Sequence, residues 1–164
     1  MITDVCKKYN NNATCYVNYT LRTWSVLTIL TLLALYFLNV DKKLMHIFIC
    51  VLMLNSILGS LLLNVLVREK ILEIFGISYP ILLLFDAVIH ILPFLLIYNY
   101  YTPPKLSANE IISGILLISA LFLIYDKVIG LKNVYISISI IKPPTEFAIG
   151  LYLFLYSGVL YFYK

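Results

Sequence analysis

The sequence predicts an all-α fold, a polytopic transmembrane helical bundle of about five spanning helices with short loops. Hydrophobic residues make up 62% of the chain and charged residues 12%, whereas a soluble domain is about half apolar and a quarter charged. A chain of 164 residues cannot bury so much apolar surface in one aqueous core. The apolar residues also fall into separate runs of 17 to 24, the length that crosses a bilayer.

The chain divides into a polar N-terminal tail, residues 1–23, and a single transmembrane helical domain, residues 24–164. The tail is poor in aliphatic residues, so we expect it to be loosely ordered unless a partner or a disulfide holds it. Cys6 and Cys15 are the candidate disulfide pair, which would form only in an oxidising compartment.

The orientation of the tail is left open by two conflicting signals. Asn12 and Asn18 begin Asn-x-Thr sequons, which are glycosylated only outside the cytosol. Basic residues nevertheless number eight in the tail, second and fourth loops and four on the other side, which favours a cytosolic N-terminus.

The spans follow from apolar length and from the residues that end each run. The connection Asp41-Lys42-Lys43 is so short that the first two spans must form an antiparallel hairpin. Val128–Ile141 is interrupted by Gly130 and Lys132, so we expect it not to span, and a re-entrant path is left open. The five predicted spans are Trp24–Val40, Leu44–Val67, Tyr79–Ile97, Ser107–Tyr125 and Glu146–Tyr163.

Local signals predict several helix ends and one kink. Ser107 and Glu110 have the spacing of a capping box at the start of the fourth span. Asp41 and Thr145 are placed to cap the second and last spans. Pro93 lies inside the third span, where the missing N–H predicts a kink.

Asp86 and His90 are the strongest functional candidates, although the sequence assigns no catalytic residue. They lie four positions apart in the third span, so their side chains share one helix face. An ionisable residue in an apolar span costs about 2.5 kcal/mol or more on insertion scales, which makes it a functional candidate by default. We predict a polar intramembrane cluster consisting of Asn55, Ser56, Tyr79, Asp86, His90, Tyr152 and Tyr156.

A metal site is not predicted, and neither is any cofactor. His46 and Cys50 form a second pair four residues apart, but a structural zinc site needs four ligands. The basic residues are scattered, which argues against nucleic-acid binding. The expected partners are membrane lipid and other membrane proteins or further copies of this chain.

Two functions fit these observations. The first is a structural or protein-interaction role in a membrane, and a viral, endoplasmic reticulum or organelle membrane all fit the composition. The alternative is a small transporter, a proton-coupled protein or a lipid-active intramembrane enzyme centred on Asp86 and His90. A fully paired polar cluster favours the first, and a cavity that reaches His90 favours the second.

Overall fold

The fold is an all-α bundle, as the sequence predicts. The computed structural model describes residues 12–131 and 143–163, and these residues contain no strand. The described helices are α1 (Asn12–Leu21), α2 (Trp24–Phe37), α3 (Lys42–Leu66), α4 (Arg68–Phe75), α5 (Tyr79–Tyr100), α6 (Ala108–Ile129) and α7 (Thr145–Phe162).

Four of these helices, α3, α5, α6 and α7, are long and apolar enough to cross a membrane by length and composition. The predicted first span is shorter than expected, because α2 has 14 residues and ends at Phe37, which is about 21 Å of helix. Asn39 then takes a left-handed conformation that turns the chain towards α3. Residues 15–21 of α1 and α2 pass the same test together across a 59° bend, so the chain is a multi-pass membrane protein with four or five spans.

The described part of the N-terminal tail is helical, an order that the sequence allows only if a disulfide or a partner holds the tail. Residues 12–21 form α1, and Cys15 and Tyr16 are buried. The Tyr16 ring packs edge-on against Phe75 of α4 and Phe85 of α5, with centroids 5.0 and 5.1 Å away. This aromatic cluster gives α1 the apolar contacts that the composition of the tail alone does not predict.

The centre of the bundle is α3, which is buried without a break from His46 to Ser56. It packs against α2, α5 and α7. An ion pair of 2.6 Å between Lys43 and Glu110 ties the start of α3 to the start of α6. At the opposite end, Trp24 packs on Phe122 of α6 with ring centroids 5.3 Å apart.

The predicted caps have different outcomes. The capping box is confirmed, because Ser107 accepts from the Glu110 amide and the Glu110 carboxylate accepts from the Ser107 amide. Asp41 occupies the cap position of α3 without a side-chain hydrogen bond to the helix. The prediction for Thr145 is wrong: Pro144, with φ of −51°, occupies the cap position and Thr145 is already helical. Of the ambiguous segment Val128–Ile141, α6 includes the start through Ile129, and residues 132–141 lie outside the described residues.

Candidate functional site

The site begins with a widened turn in α5. Residues Ala87–Ile91 form a π-helical turn that carries His90. The turn ends two residues before Pro93, whose ring would clash with the carbonyl of Ile89 in a regular α-helix. The predicted kink is therefore a π-helical turn, a feature often found at functional sites.

A second π-helical turn, Leu62–Leu66, lies in α3 and carries Asn64. Asn64 Nδ2 and the Ser60 hydroxyl each donate to Asp86 Oδ2 at 2.7 Å. The other carboxylate oxygen, Oδ1, lies 2.8 Å from His90 Nδ1. Asp86 is 1% exposed and His90 is 7% exposed, so three donors compensate for the burial of this carboxyl group.

His90 also reaches a third helix. Its Nε2 lies 3.2 Å from the hydroxyl of Ser25 in α2. Because Asp86 accepts from Nδ1–H, the neutral ring presents the lone pair of Nε2 to Ser25. Gly59 of α3 makes room for the ring, since a Cβ there would lie 2.8 Å from the ring carbons Cδ2 and Cε1.

Ser25 occupies the first turn of α2. Thr23 caps this helix, with its Oγ1 accepting from the Val26 amide at 3.4 Å. The amide N–H of Ser25 belongs to the same first turn, where the helix itself supplies no acceptor. The positive end of the helix dipole therefore lies beside the Ser25 hydroxyl.

A cavity of about 60 Å³ lies between α1, α2, α3 and α5, and Ser25, Asp86 and His90 line it. At roughly 30 Å³ per molecule, it has room for about two waters. Tyr16 and Thr20 of α1 line it from the remaining side. Asp86 lies about 10 Å and His90 about 16 Å from the start of α5, which has 22 residues and is about 33 Å long, so both are near the middle of this helix.

The structure does not bring the predicted polar cluster together as one group. Asn55 and Tyr152 lie apart from Asp86: Trp24 Nε1 donates to the Tyr152 hydroxyl at 2.9 Å, which donates to Asn55 Oδ1 at 2.8 Å. The sequence offers Asn55, Ser56 and Asn64 of α3 as neighbours of Asp86. The structure confirms Asn64, and the other neighbour in α3 is Ser60. Ser60 and Asn64 lie four to nine residues beyond Asn55 and Ser56, or about one to two and a half turns, a difference that depends on the offset between α3 and α5 along their axes.

The other members of that predicted cluster have separate partners. The Ser56 hydroxyl donates to the Leu52 carbonyl of its own helix at 2.8 Å. The Tyr156 hydroxyl donates to the carbonyl of Ile47 at 3.3 Å. Tyr79 is exposed at the start of α5, with the Arg68 guanidinium 5.3 Å from its ring centroid. None of these three contacts reaches His90.

His46 and Cys50 lie together at the start of α3, away from His90. His46 Nδ1 is 3.1 Å from the Tyr101 hydroxyl, and Nε2 is 3.0 Å from the Tyr163 carbonyl. Burial raises the pKa of Tyr101, so its hydroxyl stays protonated. Among residues 12–131 and 143–163, no three His, Cys, Asp or Glu side chains are grouped as metal ligands.

The modification candidates lie in or beside α1. Cys15 is buried and disulfide-bonded, but Cys6 lies outside the described residues, so their pairing stays a prediction. Asn12 begins α1 and Asn18 lies within it, half-buried. The Thr20 hydroxyl of the second sequon is buried and donates to the Tyr16 carbonyl at 2.8 Å. Glycosylation at both positions stays a prediction.

Hydrogen bonds link the carboxylate of Asp86 to the imidazole of His90, and that imidazole to the hydroxyl of Ser25. Comparisons with protein-family models, curated proteins and solved structures find no match for this chain. A serine hydroxyl hydrogen-bonded to a histidine that a carboxylate orients is the general requirement for an activated oxygen nucleophile. Sequence reasoning missed Ser25, because 65 residues separate it from His90 and no local motif marks it.

Proposed function

We propose that this multi-pass membrane protein is an intramembrane acyl-transfer enzyme with Ser25 as nucleophile, His90 as general base and Asp86 as the residue that orients His90. The observation that carries the proposal is the pair of contacts at His90. Its two ring nitrogens lie 2.8 Å from an Asp86 carboxylate oxygen and 3.2 Å from the Ser25 hydroxyl. Both distances are within or at the edge of proton-transfer range for an enzyme without substrate.

In the proposed reaction, Ser25 Oγ forms a bond to the carbonyl carbon of an ester, and its proton moves to His90 Nε2. The tetrahedral intermediate collapses when the ester C–O bond breaks and His90 gives the proton to the departing alkoxide. A water or an acceptor alcohol then attacks the acyl carbon and gives its proton to His90. The bond between that carbon and Ser25 Oγ breaks, and His90 returns the proton to Ser25 Oγ. Asp86 stays ionised and stabilises the imidazolium in both steps.

The surroundings of Ser25 support this chemistry. Its backbone N–H lies in the first turn of α2, where it can donate to a developing oxyanion beside the positive end of the helix. The adjacent cavity of about 60 Å³ has space for a hydrolytic water. Ser60 and Asn64 hold Asp86 from α3, so the orientation of His90 depends on three helices.

A structural role, the first function expected from the sequence, is the second candidate. The observation in its favour is that both carboxylate oxygens of Asp86 are paired, by donors from α3 and α5. Such a paired cluster would fix the register of α2, α3 and α5 in a protein that packs laterally against lipid, other proteins or copies of itself.

An alkyl fluorophosphonate, which reacts covalently with activated serine hydroxyls, separates the two candidates. We expect the purified protein in lipid nanodiscs to be labelled at Ser25, as mapped by mass spectrometry. Ser25→Ala should abolish labelling, and Asp86→Asn should slow it by about 10²-fold or more because His90 loses its fixed tautomer. The matched control is Ser56→Ala, since Ser56 is a buried serine whose hydroxyl bonds only within α3.

The thermal stability of His90→Leu gives the complementary result. In an enzyme this variant should lose labelling with little change in the unfolding midpoint, because catalytic residues are often retained at a cost to stability. In a structural cluster the loss of the His90 bonds should destabilise the protein by about 1–3 kcal/mol. A folded wild-type protein that is never labelled at Ser25, together with a large fall in this midpoint, would leave the structural role as the function.

A further inference from the structure

A second pocket, of about 320 Å³, lies between α2, α3, α6 and α7. Its volume falls in the range of small-molecule sites, and its walls are predominantly apolar and aromatic. Aromatic side chains form one wall, where the rings of Phe122 and Tyr152 stack with centroids 4.4 Å apart.

Asn55 is the main polar feature of this pocket. It is 5% exposed, and its Nδ2 has no hydrogen-bond partner among the described residues. The amide orientation follows from its neighbours: Trp24 Nε1 can only donate, so the Tyr152 hydroxyl accepts from it and donates to Asn55 Oδ1. Two N–H donors of Asn55 are therefore left for a ligand that carries an acceptor.

The pocket adjoins the cavity of about 60 Å³ that Ser25, Asp86 and His90 line. Ser25, Gly59 and Leu62 line both of them. At the other side, Phe147 and Leu151 of α7 line the pocket and are 62% and 47% exposed, on a helix that is apolar enough to face lipid. A hydrocarbon chain could enter the pocket from the bilayer past these two residues, with its polar end placed near Ser25.

The charge of the lining narrows the ligand class. The described residues that line the pocket include no basic side chain that would compensate for a buried carboxylate. A neutral carbonyl, in contrast, needs only the hydrogen bond that Asn55 can supply. The described part of the lining therefore suits an ester better than a free fatty acid.

We infer that the pocket binds the acyl chain of a neutral lipid ester and that Asn55 Nδ2 donates to a carbonyl of that ester beside Ser25. The inference names the substrate class for the acyl transfer proposed above, and the fate of the bound ester rests on that proposal. The binding itself requires only the pocket and Asn55.

Photocrosslinking with a palmitate methyl ester that carries a mid-chain diazirine and a terminal alkyne tests the binding. The protein is used in nanodiscs as Ser25→Ala, so that turnover plays no part. We expect crosslinks on pocket residues such as Leu58, Leu151 and Leu155, with methyl palmitate competing at least tenfold better than palmitate or hexadecane. Leu155→Trp, which fills the pocket, should lower crosslinking at least tenfold, whereas Leu116→Trp on the exposed face of α6 should not.

Asn55→Leu tests the hydrogen bond, and Tyr152→Phe is its matched control. The first variant removes the free donor, so methyl palmitate and hexadecane should compete equally. The second removes the bond to Asn55 Oδ1 but keeps Nδ2, so the tenfold preference for the ester should persist. Crosslinks spread over the lipid-facing residues, or a preference for palmitate, would overturn the inference even if Ser25 reacts with the fluorophosphonate. Pocket crosslinks without that reaction would retain the inference and overturn the proposed enzyme.

Discussion

At the scale of single residues, Gly59 controls how closely α5 approaches α3. The His90 ring lies against its Cα, and a methyl group there would meet the ring carbons at 2.8 Å. The ring cannot yield without changing its distance to Ser25 or Asp86, because it is hydrogen-bonded at both nitrogens. A glycine in the middle of a long helix, which weakens the helix by about 0.5–1 kcal/mol, is thus explained by packing.

We predict that Gly59→Ala lowers the rate of fluorophosphonate labelling at least tenfold by displacing His90. Gly158→Ala is the control, because a Cβ at Gly158 meets nothing within 4 Å. That variant should keep its labelling rate and gain slightly in helix stability. Labelling rates and thermal midpoints measured in parallel check both; equal labelling of the two variants would show that the position of His90 is not fixed by Gly59.

The sequence predicts part of this site because part of it is local. Asp86 and His90 are four residues apart, and helical geometry alone places their side chains on one face. Ser25 and Ser60 belong to other helices, and their contact with the pair depends on axial offsets that no short sequence window contains. The prediction of Asn55 and Ser56 as neighbours is wrong for that reason, whereas the alternative partner Asn64, on the same helix, is confirmed.

At the scale of the helices, α5 joins two regular segments through the π-helical turn at Ala87–Ile91. The turn contains one residue more than an α-helical path would need, which changes the rotation of the segment before it relative to the segment after it. Pro93 stabilises this arrangement, because its ring excludes the regular alternative.

We predict that Pro93→Ala separates stability from reactivity. Alanine allows α5 to form a regular helix, which removes a penalty of up to about 3 kcal/mol, so the unfolding midpoint should stay level or rise. The accompanying rotation should move Asp86 or His90 away from its partners and reduce labelling of Ser25 at least tenfold. A lower midpoint with unchanged labelling would show that the π-helical turn does not depend on Pro93.

Helix positions illustrate what apolar length can and cannot predict. Leu44–Val67 was expected for the second span and Lys42–Leu66 is observed, because a run of that length has few alternatives in a bilayer. The helix α1 was not expected, since its stability comes from the packing of Tyr16 against α4 and α5 rather than from its own composition.

At the scale of the whole molecule, the number of crossings depends on α1 and α2. Alone, α2 covers about 21 Å, short of the 30 Å hydrocarbon core. Its C-terminal end nevertheless leads directly into the start of α3, and α1 packs near the end of α3 against α4. The bent pair therefore connects the two ends of the bundle, and we expect it to act as a fifth crossing.

Cysteine accessibility in sealed vesicles measures this directly. In a background without the native cysteines, Asn39→Cys and Lys105→Cys should react with a membrane-impermeant maleimide from the same side. Glu73→Cys should react from the opposite side, and all three should react once detergent opens the vesicles. Lys8→Cys in the polar N-terminal tail decides the number of spans. Reaction from the side of Glu73→Cys would show that α1 and α2 cross together, and reaction from the side of Asn39→Cys would show that they do not cross and that the bundle has four spans.

The hydrogen bonds of Asp86 also have a consequence for how the chain is made. Its α3 partners, Ser60 and Asn64, leave the ribosome before it does. A separation of 26 residues corresponds to roughly 1–5 s of translation. By the time α5 enters the bilayer, α3 already presents the donors for the Asp86 carboxylate, so this group can form its hydrogen bonds as it enters the hydrocarbon. Ser25 emerges earlier still and has no base beside it until His90 arrives, so a chain interrupted before α5 carries no reactive serine.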